Sequence, residues 1–361
     1  MPGRLTIYDI AKKAGIHYST VSLALKNDSR ISVKTREMVT RIAKELGYMP
    51  DPMLSALSAY RRFNKPAQFH GTIAWVCDYP PRPRNVPCHC FDLYFAGASE
   101  RAVQYGYRLE EFCLRELGMN HQKASKVLVN RGVHGLLLSP SAISQTQFDM
   151  DWDNFSVVKF GYTVTEPRAH LVTAAHYRAM VTIIEKLTAQ GFTRIGYVSI
   201  PNFERRVDRN FKAAFLSADS GLPEGETIPI LSNEKLTKPM FFDWFKKYRP
   251  QAIITANGEI PDWLREKGLH VPDDIRIAFP ILQDIPTGES HAGLCGIVEA
   301  SRTIGSTAVD LLSTMLLHGE RGIPANPLRM LVEGTWVDFP AEIPVSEKGD
   351  SLALMRPFST A

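Results

Sequence analysis

Apolar residues in the first fifty positions recur at helical spacing and are interrupted by glycine. Ile7, Ile10, Ala11 and Ala14 fall on one face of a helix that Thr6 can cap and Gly15 can end. Asp9, three residues after Thr6, completes a capping-box-like pair. Val21, Ala24 and Leu25 form the buried side of a second helix, from about Tyr18 to Lys26, leaving Tyr18, Ser19, Ser22 and Lys26 outside. A third helix starts at Ser32, buries Met38, Val39, Ile42, Ala43 and Leu46, and stops at Gly47. Two helices joined by a glycine-containing turn and backed by a third predict a helix-turn-helix, whose second helix would lie in the major groove with its N-terminal side chains at base edges. A small helical bundle with a solvated basic face is the competing reading.

The stretch "YMPDPMLSALSAYRR" (48–62) holds two prolines, then Leu54 and Leu57 at helical spacing, then Arg61 and Arg62. So short a helix needs a surface to dock on, and a leucine on it can wedge between base steps from the minor groove. From about Gln68 the pattern changes to strand-like apolar runs alternating with helical stretches. One series comprises "GTIAWVC" (71–77), helix 93–105, "YRLEEF" (107–112), helix 121–130 and "GLLLS" (135–139). After "VVKF" (157–160) a second series holds helices at 176–190, 206–220, 241–248 and 261–267 between the runs "RIGYVSI", "IPIL", "AIIT" and "IRIAF", with a last helix at 302–318. Such alternation predicts parallel sheets with helices on both faces, in two Rossmann-like lobes with a ligand crevice beyond the strand ends. The fold class expected is therefore α/β: a small all-α head followed by a two-lobed, doubly wound parallel-sheet body.

Charge sharpens this division. Residues 1–65 carry twelve Lys and Arg against five acids, which leaves the remainder of a chain of net charge +4 mildly acidic. A basic head on an acidic body points to a polyanion reached by one end. Lys26, Arg30, Lys34 and Arg36 are placed to meet backbone phosphates, and Thr6 with the amides behind it to hold one. No run of about 18 apolar residues occurs, and "MPGRLTIYDIAKK" lacks an apolar stretch of signal-peptide length; the expectation is a cytoplasmic chain without membrane contact. The five cysteines (Cys77, Cys88, Cys90, Cys113 and Cys295) are odd in number and irregularly spaced, against a disulfide framework. Cys88, His89 and Cys90 in "PCHC" supply three soft ligands with no second cluster, so they read as a surface loop, and no metal or cofactor is expected.

The stretch 5–60 resembles the DNA-binding head and hinge helix of the LacI/GalR repressor family, through "TIYDIAKKAG", "STVS", "ISVKTRE", "IAKELGYMPD" and the Leu57 of "MLSALSAY". The resemblance implies base reading by Tyr18, Ser19 and Leu23, backbone contacts by Thr6, His17, Thr20, Ser22, Arg30, Ser32 and Thr35, and a minor-groove wedge at Leu57. The family usually carries Arg after "TVS"; here Leu23 allows only apolar contact, for instance with a thymine methyl. The body is similar to the family's periplasmic-binding-protein type I-like sensor, through "HGLLLSP", "GFTRIGYVSI", "AIITANGE", "GLHVPDDI" and "TIGSTAVDLL". The division it implies is a head at 1–50, a hinge at 51–67, a two-lobed effector-binding and dimerisation domain at 68–340 with crossovers near 161–165 and 281–292, and a tail at 341–361.

Effector positions carry over less directly. Asp78 and Tyr79 follow the first strand, Arg205 or Arg206 matches an effector-gripping arginine with a slip of about one residue, Asn257 matches a ligand-contacting Asn, and Glu299 stands where Gln is common. Gly161 and Gly258 replace acids, and "AFPILQD" replaces "GFDD". Phe91, Tyr94, Tyr162 and Trp263 can stack on a ring or simply fill core.

The function implied is a ligand-responsive, sequence-specific DNA-binding regulator: a homodimeric repressor of carbohydrate-utilisation genes on a pseudo-palindromic operator, with a sugar derivative as effector. A purine or other metabolite is the alternative effector, and a solute-binding protein the alternative class. No nucleophile elbow, Walker loop, HExxH helix or GxGxxG turn is present, so the chain does not read as an enzyme.

Overall fold

The computed structural model describes residues 5–25, 30–48, 70–77, 89–115, 118–141, 145–218, 228–282 and 293–338. Capping chemistry fixes the head. The backbone N–H and hydroxyl of Thr6 both donate to Asp9 Oδ2, at 2.7 and 2.8 Å, and open α1 (Ile7–Ala14). These bonds hold the Asp9 carboxyl below its usual pKa. Gly15, at φ 65°, closes the helix in the left-handed conformation that glycine adopts without strain. Helix α2 spans Tyr18–Leu25, and α3 spans Val33–Leu46 with Ser32 Oγ accepting from the Thr35 amide. The three pack through Ile10, Ala11, Val21, Ala24, Val39, Ile42 and Ala43, the faces expected from the spacing. Lys26 and Leu57, with the rest of the expected hinge, lie outside the described residues.

The body forms two six-stranded sheets. The N-terminal lobe orders its strands β13-β7-β5-β3-β1-β2, all parallel: β1 (Gly71–Cys77), β2 (Tyr107–Cys113), β3 (Gly135–Leu138), β5 (Ser156–Phe160), β7 (His170–Ala174) and β13 (Arg329–Val332). A two-stranded accessory sheet pairs β4 (Thr146–Gln147) with β6 (Val164–Glu166). Alternation along β1 divides the core: Ile73 and Trp75 face one layer with α4 (His89–Gln104), and Ala74 and Val76 face the other with α5 (His121–Asn130). The C-terminal lobe orders β14-β12-β11-β10-β8-β9: β8 (Ile195–Ser199), β9 (Leu231–Ser232), β10 (Ala252–Thr255), β11 (Arg276–Leu282), β12 (Leu294–Val298) and β14 (Thr335–Asp338), the last antiparallel. Helices α6 (His176–Ala189), α7 (Pro201–Arg206) and α8 (Asn210–Ala218) lie on one side, α9 (Lys238–Tyr248) and α10 (Ile260–Glu266) on the other. Helix α11 (Ser301–His318) returns to the first lobe and packs on α4.

The crossovers differ from those expected. His170–Ala174 is a further strand of the first sheet, paired with β5 and β13, so the chain leaves that lobe at Ala175 and not at 161–165. Leu294–Val298 pairs with β11, so the return falls at 299–300 and not at 281–292. A third passage, at 333–334, links β13 of one sheet to β14 of the other. The helix expected from 206 begins only at Asn210; a separate short helix, Pro201–Arg206, precedes it, and the break falls where Asp208 and Arg209 adopt φ 55° and 56°. The "PCHC" stretch does not end as a loop: His89 opens α4, while Cys88 lies outside the described residues. Cys77, Cys113 and Cys295 are buried, and burial pushes the Cys295 thiol up to about 12. Among the described residues no group of His, Cys, Asp or Glu is arranged to hold a metal ion, and no helix is long and apolar enough to cross a membrane.

Candidate nucleic-acid interface and interlobe cleft

Burying Val21 and Ala24 turns the opposite side of α2 to solvent. His17, Tyr18 and Ser19 stand exposed at its first turn, with Thr20, Ser22 and Leu23 half-buried behind them. The His17 ring lies 4.3 Å from the Tyr18 ring, which lies 4.8 Å from that of Tyr8 on α1. The start of α2 is thus braced by an aromatic row. Arg30, Ser32 and Thr35 gather at the start of α3, where Thr35 is held by the Ser32 cap. Thr6 commits its N–H and hydroxyl proton to Asp9, whose own amide donates back to the Thr6 carbonyl at 3.1 Å. Tyr8, exposed on α1 and set against Tyr18, belongs with this surface; an aromatic lying off the Ile7–Ile10–Ala11–Ala14 face is the signal for it in the sequence.

In the body, α7 follows β8 and orients two arginines differently. Buried Glu204 accepts the Tyr197 hydroxyl proton and, through Oε2, the Lys212 amide at 3.3 Å. Successive residues then rotate by about 100° around the helix. Arg205 turns to its own lobe and pairs with Glu234 at 2.6 Å. Arg206 turns to the other lobe, where its Nη1 donates to the Ser141 carbonyl at 3.1 Å.

The remaining expected effector residues divide. Phe91 and Tyr94 are buried on α4, 8% and 6% exposed. The Tyr94 hydroxyl donates to Glu299, whose carboxyl is fully enclosed and also accepts from Ser301 Oγ at 3.3 Å. Burial raises the Glu299 pKa. Asn257 is buried beyond β10, its Oδ1 accepting the Glu259 amide at 2.8 Å and so fixing the turn into α10. Trp263 packs near Phe241, 5.8 Å between rings, in the core of its lobe. Asp78 and Tyr79 lie outside the described residues.

A second interlobe contact was not anticipated. Tyr162, beyond β5, has its ring 6.0 Å from that of His176 and 5.7 Å from the Arg329 guanidinium. Arg329 on β13 pairs with Asp208 of the α7–α8 turn at 3.7 Å, and His176 meets Phe211 of α8 edge-on at 5.2 Å. His176 is buried, its Nδ1 has no hydrogen-bond partner, and desolvation lowers its pKa to about 4. Beneath, buried Lys159 donates to the carbonyls of Val164 and Pro167 at 2.7 and 3.1 Å, tying the loop that carries Tyr162; burial lowers its pKa to about 8.

The description of bacterial regulatory proteins of the lacI family matches residues 6–51, and that of the periplasmic binding protein-like domain matches residues 184–336. Residues 6–51 thus match the DNA-binding segment of the lacI family, and the body matches a periplasmic binding protein-like domain. Its relatives include the PurR transcriptional repressor of Haemophilus influenzae, 25% identical over 355 residues covering 88% of this chain and 93% of that one. The regulator DegA of Bacillus subtilis is 43% identical over 58 residues, 16% of this chain and 17% of DegA. Among solved structures, a complex of the transcriptional regulator CelR with cellobiose covers 94% of this chain and 100% of its own, with a TM-score of 0.54 at 19% identity. With a lacI-type head, this chain is a DNA-binding transcriptional regulator with an effector-binding domain of the periplasmic-binding-protein type, and not an enzyme.

Proposed function

We propose that the chain represses transcription as a homodimer on a pseudo-palindromic operator, reading bases with Tyr18, Ser19 and Leu23. The observation that carries this is the exposed first turn of α2, held by packing of Val21 and Ala24 in the head core and by the Tyr8–Tyr18–His17 row. Thr6, His17, Thr20, Ser22, Lys26, Arg30, Ser32 and Thr35 contact the sugar–phosphate backbone, and Leu57 of each chain enters the minor groove at the operator centre. Leu23 supplies apolar contact in place of a guanine-binding arginine.

The effector, a sugar derivative, binds between the lobes beside Arg206 and Asn257 and shifts the balance of open and closed bodies, which the hinges transmit to the heads. The likeness to CelR, solved with cellobiose, supports the sugar class. Arg206 supports the location, because it already spans from α7 to the segment after β3. Measuring duplex binding from 50 to 200 mM salt tests the reading. Several phosphate contacts require affinity to fall by about 10³ or more over that range; salt-insensitive binding contradicts it.

A further inference from the structure

We infer that His17 sets the hydrogen-bond polarity of Ser19, so that α2 presents Ser19 to DNA as an acceptor and selects an amino group, cytosine N4 or adenine N6, on the base it faces. The inference rests on the reading of α2 as the recognition helix and adds the chemical class of the base edge that one of its residues takes.

His17 occupies the N-cap of α2. Its carbonyl accepts from the Thr20 and Val21 amides at 3.0 and 3.2 Å. Its ring does what a Ser or Asp side chain does at most helix starts: Nδ1 lies 3.4 Å from the Ser19 amide nitrogen and accepts its proton. The same Nδ1 lies 2.8 Å from Ser19 Oγ. A backbone N–H can only donate. A proton on Nδ1 would face that N–H, so Nδ1 holds a lone pair there, and the Ser19 hydroxyl directs its one proton onto that lone pair as well. The neutral ring then carries its own proton on Nε2, available to a phosphate oxygen. The ring is kept in place by the Tyr18 ring at 4.3 Å, itself braced by Tyr8.

A serine hydroxyl has one proton and two lone pairs. With the proton committed to His17, only lone pairs remain for the major groove. Guanine offers N7 and O6 there and thymine offers O4, all acceptors, which repel an oxygen lone pair. Cytosine N4 and adenine N6 offer protons. A serine read alone is indifferent to this distinction, since its hydroxyl rotates to suit either partner. The histidine one residue before the helix removes that freedom. Both side chains are exposed at the head surface, so the pair can meet a base edge.

The test uses the full-length protein and a duplex selected from a random pool. The position Ser19 reads is the one whose preference disappears in Ser19→Ala. At that position wild type should favour cytosine or adenine on the facing strand by about tenfold over guanine or thymine. His17→Phe keeps a ring against Tyr18 but removes the lone pair, and should reduce that ratio to about twofold or less, since a freed hydroxyl donates as readily as it accepts. His17→Asn restores an N-cap acceptor and should restore the preference. Should His17→Phe fail to fold, the nitrogen-15 spectrum of wild-type His17 decides: an unprotonated Nδ1 with a protonated Nε2 supports the inference, and a protonated Nδ1 overturns it. Specific binding that keeps its preference in His17→Phe, or that favours guanine or thymine opposite Ser19, overturns the inference while leaving the recognition helix standing. Absence of any sequence preference in wild type overturns both.

Discussion

The Tyr94 hydroxyl donates to the Glu299 carboxyl at the point where the chain passes from β12 of one lobe back to α11 of the other. The pair joins α4 to the strap between the lobes, and both residues are almost wholly buried. Burial raises the Glu299 pKa above its ordinary value. In the acid range folded and unfolded chains are both protonated there and no penalty arises. As pH rises the unfolded chain ionises first, and stability falls until the folded carboxyl ionises too. Glu299→Gln keeps an acceptor for Tyr94 without the ionisation, so its Tm relative to wild type should rise from pH 4.5 to pH 8. Glu299→Ala strands the Tyr94 hydroxyl and should cost about 1–3 kcal/mol at pH 4.5, and less as pH rises because it too lacks the ionisation. Thermal unfolding across that range checks both; a Tm difference for Glu299→Gln that does not change with pH contradicts the assignment.

His176 gives the opposite slope. Its ring is buried between Tyr162 and Phe211 and stays neutral to about pH 4, against an ordinary value of 6.5. Below pH 6.5 the unfolded chain takes up a proton that the folded chain refuses, so wild type should lose up to about 3 kcal/mol between pH 6.5 and 4. His176→Phe retains the ring contacts and removes the proton site. Its stability relative to wild type should therefore increase as pH falls, read from urea midpoints at pH 7.5 and 5.

The two arginines of α7 should behave differently. Arg206 bridges to Ser141 of the other lobe, and Arg205 makes an exposed ion pair within its own lobe. Arg206→Ala removes a charged hydrogen bond worth about 1.5–3 kcal/mol and should speed hydrogen exchange in residues 135–141. Arg205→Ala loses an exposed pair worth at most about 1 kcal/mol and should leave exchange there unchanged. Equal effects of the two substitutions would place the bridge elsewhere.

Close approach of α4 and α11 depends on two glycines. A Cβ on Gly305 would lie 2.0 Å from the Tyr94 carbonyl oxygen, and one on Gly97 would lie 2.0 Å from that of Arg302. Both obstacles are backbone, so alanine at either position must move a helix, at about 1–3 kcal/mol or more. Thr303→Ala, on the exposed side of α11, should stay within about 0.5 kcal/mol. Chemical denaturation of the three variants distinguishes the crossing point from the rest of the helix.

How much of this was legible in the sequence varies with the kind of signal. The head was readable because its boundaries are chemical: Thr6 with Asp9, Gly15, Ser32 and Gly47 each satisfy or release specific backbone groups. The alternation of strands and helices was readable because buried parallel strands are continuous apolar runs. The lobe crossovers were not. Strand β7 is five buried residues separated from α6 by Ala175 alone, with no turn residue to announce a change of lobe. Nor does the sequence of residues 207–209 contain glycine or proline, yet two left-handed residues break the helix there. The cleft was the least legible part. Whether Arg205 or Arg206 crosses between lobes depends on one step of helical rotation set by Glu204, and Tyr94 meets Glu299 across more than two hundred positions.

The central claim is that the head reads duplex DNA as a symmetric pair. Sequencing the fragments that the purified full-length protein retains from a random duplex pool tests it directly. The account predicts a two-fold symmetric motif bound about 10³-fold or more above bulk DNA at physiological salt, with the half-site bases facing Leu23 presenting thymine methyls. Retained fragments sharing no motif, with and without candidate sugars present, would contradict it.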